Sequence, residues 1–191
     1  MNINIAIFQW LHAGAGSRPL LDNLAIFWAK GGPYLLALLF VVLWFLVGKD
    51  KKTALLEATE AAGLGLIINQ LIGLFYFHPR PFMVGLCTSL LPHAAENSFP
   101  SDHATLMFSA ALYLLVFRGW LSCGLVILTA AALTAWGRIY VGVHFPFDMA
   151  GSFLVSLAAA WILSKLTARL TPLNNGISRL IKFRPFQKIQ P

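Results

Sequence analysis

The chain has 191 residues, 58% of them hydrophobic and 11% charged, with a formal net charge of +7. Soluble domains lie nearer about one half apolar and one quarter charged, so this much apolar surface excludes an ordinary soluble core of one domain. The basic residues fall in loops and in the tail, a pattern of membrane topology and not of a nucleic-acid-binding surface.

A bilayer core of about 30 Å takes roughly 17 to 25 apolar helical residues to cross. In chain order, residues 3–11 and 20–29 are apolar runs too short to cross alone, each with a polar face, and are expected as interfacial helices, with a sixth span as the alternative. Asn2, Asn4 and Gln9, and the lack of a basic start, argue against a cleavable signal peptide over the first run. Spans are predicted over 33–47, 61–77, 122–140 and 149–170, and a shorter one over 104–117 that gains length by starting at Ser101. The first is also short unless it tilts or continues from Leu24 across Gly31-Gly32-Pro33. The expectation is one all-α membrane-embedded domain over 1–170, a bundle of five or six transmembrane helices, followed by a basic tail over 171–191. If the first span runs inward, Lys49, Lys51, Lys52, Arg118, Lys165, Arg169 and the tail residues Arg179, Lys182, Arg184 and Lys188 all fall on the cytoplasmic side. That is ten of the fourteen Lys and Arg residues. Cys87 and Cys123 then lie near opposite faces, too far apart for a disulfide.

The exceptions to the charge rule are Arg18, Lys30, Arg80 and Arg138, and the last two stand in polar clusters at the outer ends of predicted spans. The clusters are His78-Pro79-Arg80-Pro81-Phe82, Phe99-Pro100-Ser101-Asp102-His103, and Gly137-Arg138 followed by His144 and Asp148. Charge at an apolar helix end is costly without a partner or a task. Two guanidinium forks match phosphate oxygens. Ser101 stands where a helix begins, and helix-start amides favour an anion. His103 and His144 can divide nucleophilic and acid–base roles, with Asp148 in reach of His144 to fix its tautomer.

These residues resemble the three-part signature of the type-2 phosphatidic-acid phosphatase superfamily, Lys-x6-Arg-Pro, Pro-Ser-Gly-His and Ser-Arg-x5-His-x3-Asp. Arg80-Pro81, Pro100-Ser101-Asp102-His103, and Arg138, His144 and Asp148 occupy the matching positions. The departures are Gly73 at the lysine, Asp102 at the glycine and Gly137 at the serine. The phrases from Tyr76 to Phe82, Pro92 to Ala95 and Ser98 to His103 resemble the bacitracin-resistance type of undecaprenyl-diphosphate phosphatase.

The resemblance implies an acid-phosphatase- and vanadium-haloperoxidase-like helical core in the bacterial inner membrane, with the site facing the periplasm or exterior. It implies His144 as nucleophile, His103 as acid and base, Asp148 orienting His144, and Arg80, Arg138 and Ser101 holding the phosphoryl group. No metal or other cofactor is implied. The implied substrate is a polyprenyl diphosphate, and its hydrolysis would recycle the cell-wall carrier lipid and remove the target of bacitracin. Alternatives are phosphatidate, phosphatidylglycerol phosphate or diacylglycerol diphosphate as substrate, or a non-enzymatic part of a bacitracin exporter. Asp102 and His78 are possible substrate contacts. His93 and Glu96 are expected as interfacial loop residues and Asn69 and Gln70 as interhelical hydrogen-bond partners, each with substrate contact as the alternative. A metal site of His103, Asp102, His144 and Asp148 is disfavoured by the two arginines beside it.

Overall fold

The structure is a computed structural model that describes residues 2–180, with side chains described to residue 177. Six α-helices follow one another: α1 (Ile3–His12), α2 (Pro19–Leu46), α3 (Lys49–Phe75), α4 (Asp102–Leu112), α5 (Leu121–Tyr140) and α6 (Pro146–Leu180). A 3₁₀ turn at Pro81–Val84 interrupts the long α3–α4 connection, and a π turn at Tyr113–Phe117 extends α4. No strand occurs among the described residues. A hydrocarbon solvent leaves a chain with no water to satisfy its backbone, so helices that bond internally are the natural outcome.

α2, α3, α5 and α6 are long and apolar enough to cross a membrane, and Asp102–Phe117 is apolar but shorter. One expectation is corrected. Residues 20–29 do not form a separate interfacial helix, because α2 runs unbroken through Gly31, Gly32 and Pro33. Proline removes one backbone donor, a loss that packed membrane helices absorb. Gly32 makes the passage useful: a Cβ there would stand 2.8 Å from Met107 Sδ on α4 and 3.1 Å from Thr134 Cβ on α5.

Ten residues of α1 rise only about 15 Å, too little to cross. The helix lies over the ends of α5 and α6. Asn4 Oδ1 accepts from the amide of Phe147 at 3.0 Å, and His12 Nδ1 donates to the carbonyl of Tyr140 at 2.7 Å. Phe8 stacks on His12 and tilts against Phe145.

Short α4 is the axis of the bundle, packed against α2, α3, α5 and α6. Its face residues Ala104, Met107, Ala110 and Ala111 are buried. Surrounded by protein, it need not match the bilayer thickness. Small residues bring its neighbours close, as membrane helices require; Gly65 of α3, for example, faces Ser109 and Thr105. At the end away from the polar clusters, buried Glu57 pairs with Arg118 Nε at 3.3 Å and accepts from Tyr113 Oη at 3.1 Å. That pairing ties the π turn to α3. Cys87 and Cys123 are both free; Cys87 belongs to the α3–α4 connection and Cys123 to the far end of α5.

The up-and-down path brings the C-terminal ends of α3 and α5 and the N-terminal ends of α4 and α6 to one end. All three polar clusters therefore converge. Helix α6 continues past residue 170 to Leu180, so no structural break marks the proposed start of the tail. Lys182, Arg184 and Lys188 and the Arg179 side chain lie outside the described residues and side chains.

Gly137 has a structural reason. A Cβ there would stand 2.8 Å from the carbonyl oxygen of Ala25 and 3.0 Å from the amide nitrogen of Ala29, so α5 touches the bare backbone of α2. Backbone cannot swing aside as a side chain does. Restoring the motif residue by Gly137→Ser should therefore destabilise the bundle by about 1–3 kcal/mol, read as a lower melting temperature in detergent. An unchanged melting curve would show that α2 and α5 separate freely.

Candidate active site

The segment leaving α3 and the segment entering α4 are held side by side by Asn97. Its Oδ1 accepts from the amides of His78 at 2.8 Å and Phe99 at 3.3 Å, while its Nδ2 donates to the carbonyls of Tyr76 and Phe99, both at 2.9 Å. Ser98 N donates to the carbonyl of His78 at 2.8 Å. This clasp fixes Arg80 at the start of the 3₁₀ turn and Ser101 at the start of α4.

His144 lies just before α6, 2% exposed. Its Nε2 stands 3.1 Å from Arg80 Nη1 and 3.3 Å from Arg138 Nη2. A guanidinium only donates, so Nε2 is an unprotonated acceptor and the ring carries its proton on Nδ1. That nitrogen faces Asp148 Oδ2 at 3.3 Å and Ser98 Oγ at 3.2 Å. Asp148 is fully buried. It accepts from Ser98 Oγ at 2.5 Å, the amide of Phe145 at 2.7 Å and His78 Nδ1 at 3.0 Å. The spacing between His144 and Asp148 is thus not one helical turn. Asp148 sits in the first turn of α6 and reaches back over the helix start, half of a capping box.

Both arginines are 4% exposed. Arg80 also donates to the carbonyls of Val143 at 2.9 Å and Asn97 at 3.0 Å and to Glu96 Oε1 at 3.3 Å. Arg138, in the last turn of α5, gains from the negative end of that helix. The Nε of each arginine and the Oγ of Ser101 are buried without a hydrogen-bond partner. Buried donors in native proteins are nearly always paired, so these three atoms are exceptions.

The electrostatics follow. Burial first, then Arg138 and Arg80, push the pKa of His144 down to about 3, against the opposing pull of Asp148. Burial lowers that of Arg80 too, while Glu96 and Asp148 raise it. His93, the imidazole at the rim, is lowered by burial and then by Arg80.

A cavity of about 380 Å³ opens in front of His144, walled by Arg80, Arg138, His103, Asp102 and His93. Five residues expected in the site are thus together at it: Arg80, His103, Arg138 and His144 on the wall, and Asp148 behind His144. Asp102 is on the wall as well. Its Oδ1 accepts from Asn69 Nδ2 at 2.8 Å and its Oδ2 from Gln70 Nε2 at 3.4 Å, so the expected interhelical bonds of Asn69 and Gln70 end on this carboxylate. His78 is not on the cavity wall; it stands behind Asp148 as a second imidazole partner. Ser101 occupies the position before α4, but its Oγ caps nothing and is off the wall, and its amide donates to Ser152 Oγ at 2.9 Å. The free helix-start amides are therefore those of Asp102, His103 and Ala104, ahead of the first intrahelical bond from Thr105 to Ser101. Gly73 lines the cavity, and its neighbours on that wall are the amides Asn69, Gln70 and Asn97. Sequence reasoning missed Ser98, and read His93 and Glu96 first as loop residues, with substrate contact the lesser alternative. The sole local signal for Ser98 was its place three residues before Ser101 in the same phrase. Among the described residues, no three His, Cys, Asp or Glu side chains are grouped to hold a metal.

The sequence profile described as the PAP2 superfamily matches residues 54–172, which hold every one of these groups. The chain belongs to the PAP2 superfamily. Among PAP2 relatives, YbjG of Escherichia coli (strain K12), provisionally designated an undecaprenyl-diphosphatase, is 36% identical over 82% of this chain and 78% of its own. Undecaprenyl-diphosphatase BcrC of Bacillus subtilis (strain 168) is 32% identical over 93% of this chain and 91% of its own. The crystal structure of Aquifex aeolicus LpxE superposes with a TM-score of 0.69 at 26% identity, covering 86% of this chain and 96% of LpxE.

Two measurements test this PAP2 site. In ¹⁵N-histidine spectra of the unloaded protein, His144 should remain the neutral Nδ1–H tautomer from pH 8 down to about pH 5, because its pKa is depressed to about 3 and protonation begins only near that value. An imidazolium signal at pH 6 would contradict the geometry. Ser98→Ala removes a hydrogen bond to a buried carboxylate, about 1.5–3 kcal/mol. It should lower kcat by roughly 10- to 100-fold with little change in KM. Unaltered turnover would mean that Asp148 needs no help in orienting the ring.

Proposed function

We infer that the protein is an integral-membrane lipid-diphosphate phosphatase that converts undecaprenyl diphosphate to undecaprenyl phosphate and inorganic phosphate. The observation that carries this reading is the pair of buried guanidiniums flanking one imidazole lone pair on the wall of the cleft. Such a site is preorganised for charge that develops on a transferring phosphoryl group. The designations and coverage of YbjG and BcrC support the choice of lipid.

His144 Nε2 attacks the terminal phosphorus while the bond to the bridging oxygen breaks, giving a phosphohistidine. His103 gives its proton to the departing lipid monophosphate. It then takes one from water as that water attacks the same phosphorus, releasing inorganic phosphate and restoring His144. Arg80 and Arg138 transfer their hydrogen bonds from His144 to the phosphoryl oxygens, which uncovers the lone pair that attacks. Asp148, held by Ser98, the Phe145 amide and His78, stabilises the Nδ1–H side of the ring as positive charge develops there.

The lipid tail has a berth beside the cavity. Leu74 lines the opening, and Ile67, Leu71, Leu74 and Phe75 form an exposed apolar stripe along one face of α3. Of the cations outside the cleft, Lys49, Lys51, Lys52 and Arg118 lie at the opposite end of the bundle. By the positive-inside rule the cleft then faces the periplasm or exterior of a bacterial inner membrane. Removal of the diphosphate lipid there gives bacitracin resistance by loss of the drug's target.

The test is phosphate release by purified protein from undecaprenyl diphosphate, diacylglycerol diphosphate, phosphatidylglycerol phosphate and phosphatidate, alongside His144→Ala. The expected result is preference for the polyprenyl diphosphate and loss of at least about a thousandfold in the variant, the scale of removing a covalent catalyst. Faster turnover of a glycerolipid would reassign the substrate. Turnover by the folded variant would reassign the nucleophile.

A further inference from the structure

One imidazole on the cavity wall has no task in the reaction above. His93 Nε2 stands 3.0 Å from Arg138 Nη2, the same nitrogen that lies 3.3 Å from His144 Nε2. Because the guanidinium donates, both imidazole nitrogens are acceptors, and His93 carries its proton on Nδ1. That Nδ1 donates to the carbonyl of Ala94 at 3.2 Å, with Glu96 Oε1 3.6 Å away. One arginine nitrogen therefore serves two imidazole lone pairs. Each of the two hydrogens on that nitrogen serves one imidazole, and phosphoryl oxygens that take both hydrogens release both imidazoles. The lone pair of His144 becomes the nucleophile, and that of His93 is left on the wall facing the incoming anion.

A diphosphate brings a second phosphate that the arginines do not serve, since both are committed beside His144. The motif lysine is absent at Gly73, and the nearby wall carries the Asp102 carboxylate. His103 is engaged with the bridging oxygen. The charged and titratable groups facing His93 are Arg138 from α5, Arg80 from the segment after α3, His103 from α4, and Glu96 from its own loop. Burial and Arg80 disfavour its imidazolium in the empty cleft, and Glu96 favours it. The charge of a bound diphosphate pulls in the same direction as Glu96.

We propose that His93 reads the non-transferred phosphate, donating to it from Nε2–H as an imidazolium, and so sets a preference for diphosphate over monophosphate esters. This rests on the reading of the protein as a lipid diphosphatase. The proton comes from solvent at the half-buried ring and returns to it when the lipid product leaves.

The experiment compares wild type with His93→Gln, as full-length protein in detergent, on geranylgeranyl diphosphate and geranylgeranyl phosphate between pH 5.5 and 8.5. The two probes share one tail. Glutamine Oε1 still accepts from Arg138, so the variant removes the charge and keeps that arginine in place. The expected loss in kcat/KM is about 10- to 100-fold on the diphosphate, the scale of one charge-assisted hydrogen bond. On the monophosphate it is at most about threefold. Should the monophosphate turn over too slowly, its inhibition constant against the diphosphate is read instead. The wild-type preference should also decline as rising pH deprotonates His93, and that of the variant should be flat. Equal losses on both probes overturn the proposal and leave His93 as a prop for Arg138; no loss on either overturns it too. Wild type that fails to hydrolyse the diphosphate overturns the parent reading, an outcome visible before any substitution is made.

Discussion

Two guanidinium groups point at a single imidazole lone pair, and the rest of the structure is arranged to make that tolerable. Like charges held together away from water each cost several kcal/mol unless neighbours compensate. Arg80 is compensated by the carbonyls of Val143 and Asn97 and by Glu96 at the rim. Arg138 makes no ion pair with a carboxylate among the described residues and leans on the negative end of α5. The compensation is partial, since one rim carboxylate, on Arg80, stands against two cations. An anion completes what the protein leaves incomplete. The neutrality of His144 belongs to the same balance: burial and the field of the two guanidiniums keep a proton off Nε2. Attraction for an anion and the free imidazole lone pair share a source.

The bundle delivers this arrangement through helix ends and close backbone approach. His103, Arg138, His144 and Asp148 sit where a helix starts or stops, so their positions are set by the packing of whole helices. Gly32 and Gly137 let α2 press onto α4 and α5, which fixes the end of α5 and therefore Arg138. Helix α1 bonds to the amide of Phe147 and the carbonyl of Tyr140, pinning the turn that carries His144. The one long connection, between α3 and α4, is made rigid by Asn97, whose side chain forms four hydrogen bonds to backbone. Small shifts in packing far from the phosphate thus reach the chemistry through the arginines.

The apolar runs and the ordered set of Arg80, His103, Arg138, His144 and Asp148 were legible because each departs from what lipid allows without a reason. Other features needed the third dimension. Gly31-Gly32-Pro33 reads as a break, and in water it would be one; in a packed membrane bundle the backbone has nowhere better to bond, and α2 runs on. His78 reads as a substrate contact because it stands two residues before Arg80. The chain is extended there, and the clasp with Asn97 carries the ring to the far side of Asp148. Ser101 has the residue type and position of a cap, but its amide is taken by Ser152 and its hydroxyl is turned into the core. Ser98 and His93 carry no periodicity and no charge pattern. Their contacts are with residues about fifty positions away, which only the folded connection brings near.

The departures from the PAP2 signature fall into two groups with different consequences. Gly137 belongs to packing: a serine side chain would strike the backbone of α2. Gly73 and Asp102 belong to the wall across from the arginines, and together they replace a cation by nothing and a neutral residue by an anion. Asn69 and Gln70 absorb that carboxylate with amide donors, so the wall is polar but no longer electropositive. Positive charge is thereby concentrated around His144 and reduced on the wall that carries Asp102. A diphosphate held only at its tip would gain nothing from its second phosphate. His93, on the Arg138 side of the cleft, supplies that interaction under the proposal above when the substrate's own charge is present, and lets it lapse when the monophosphate product must leave.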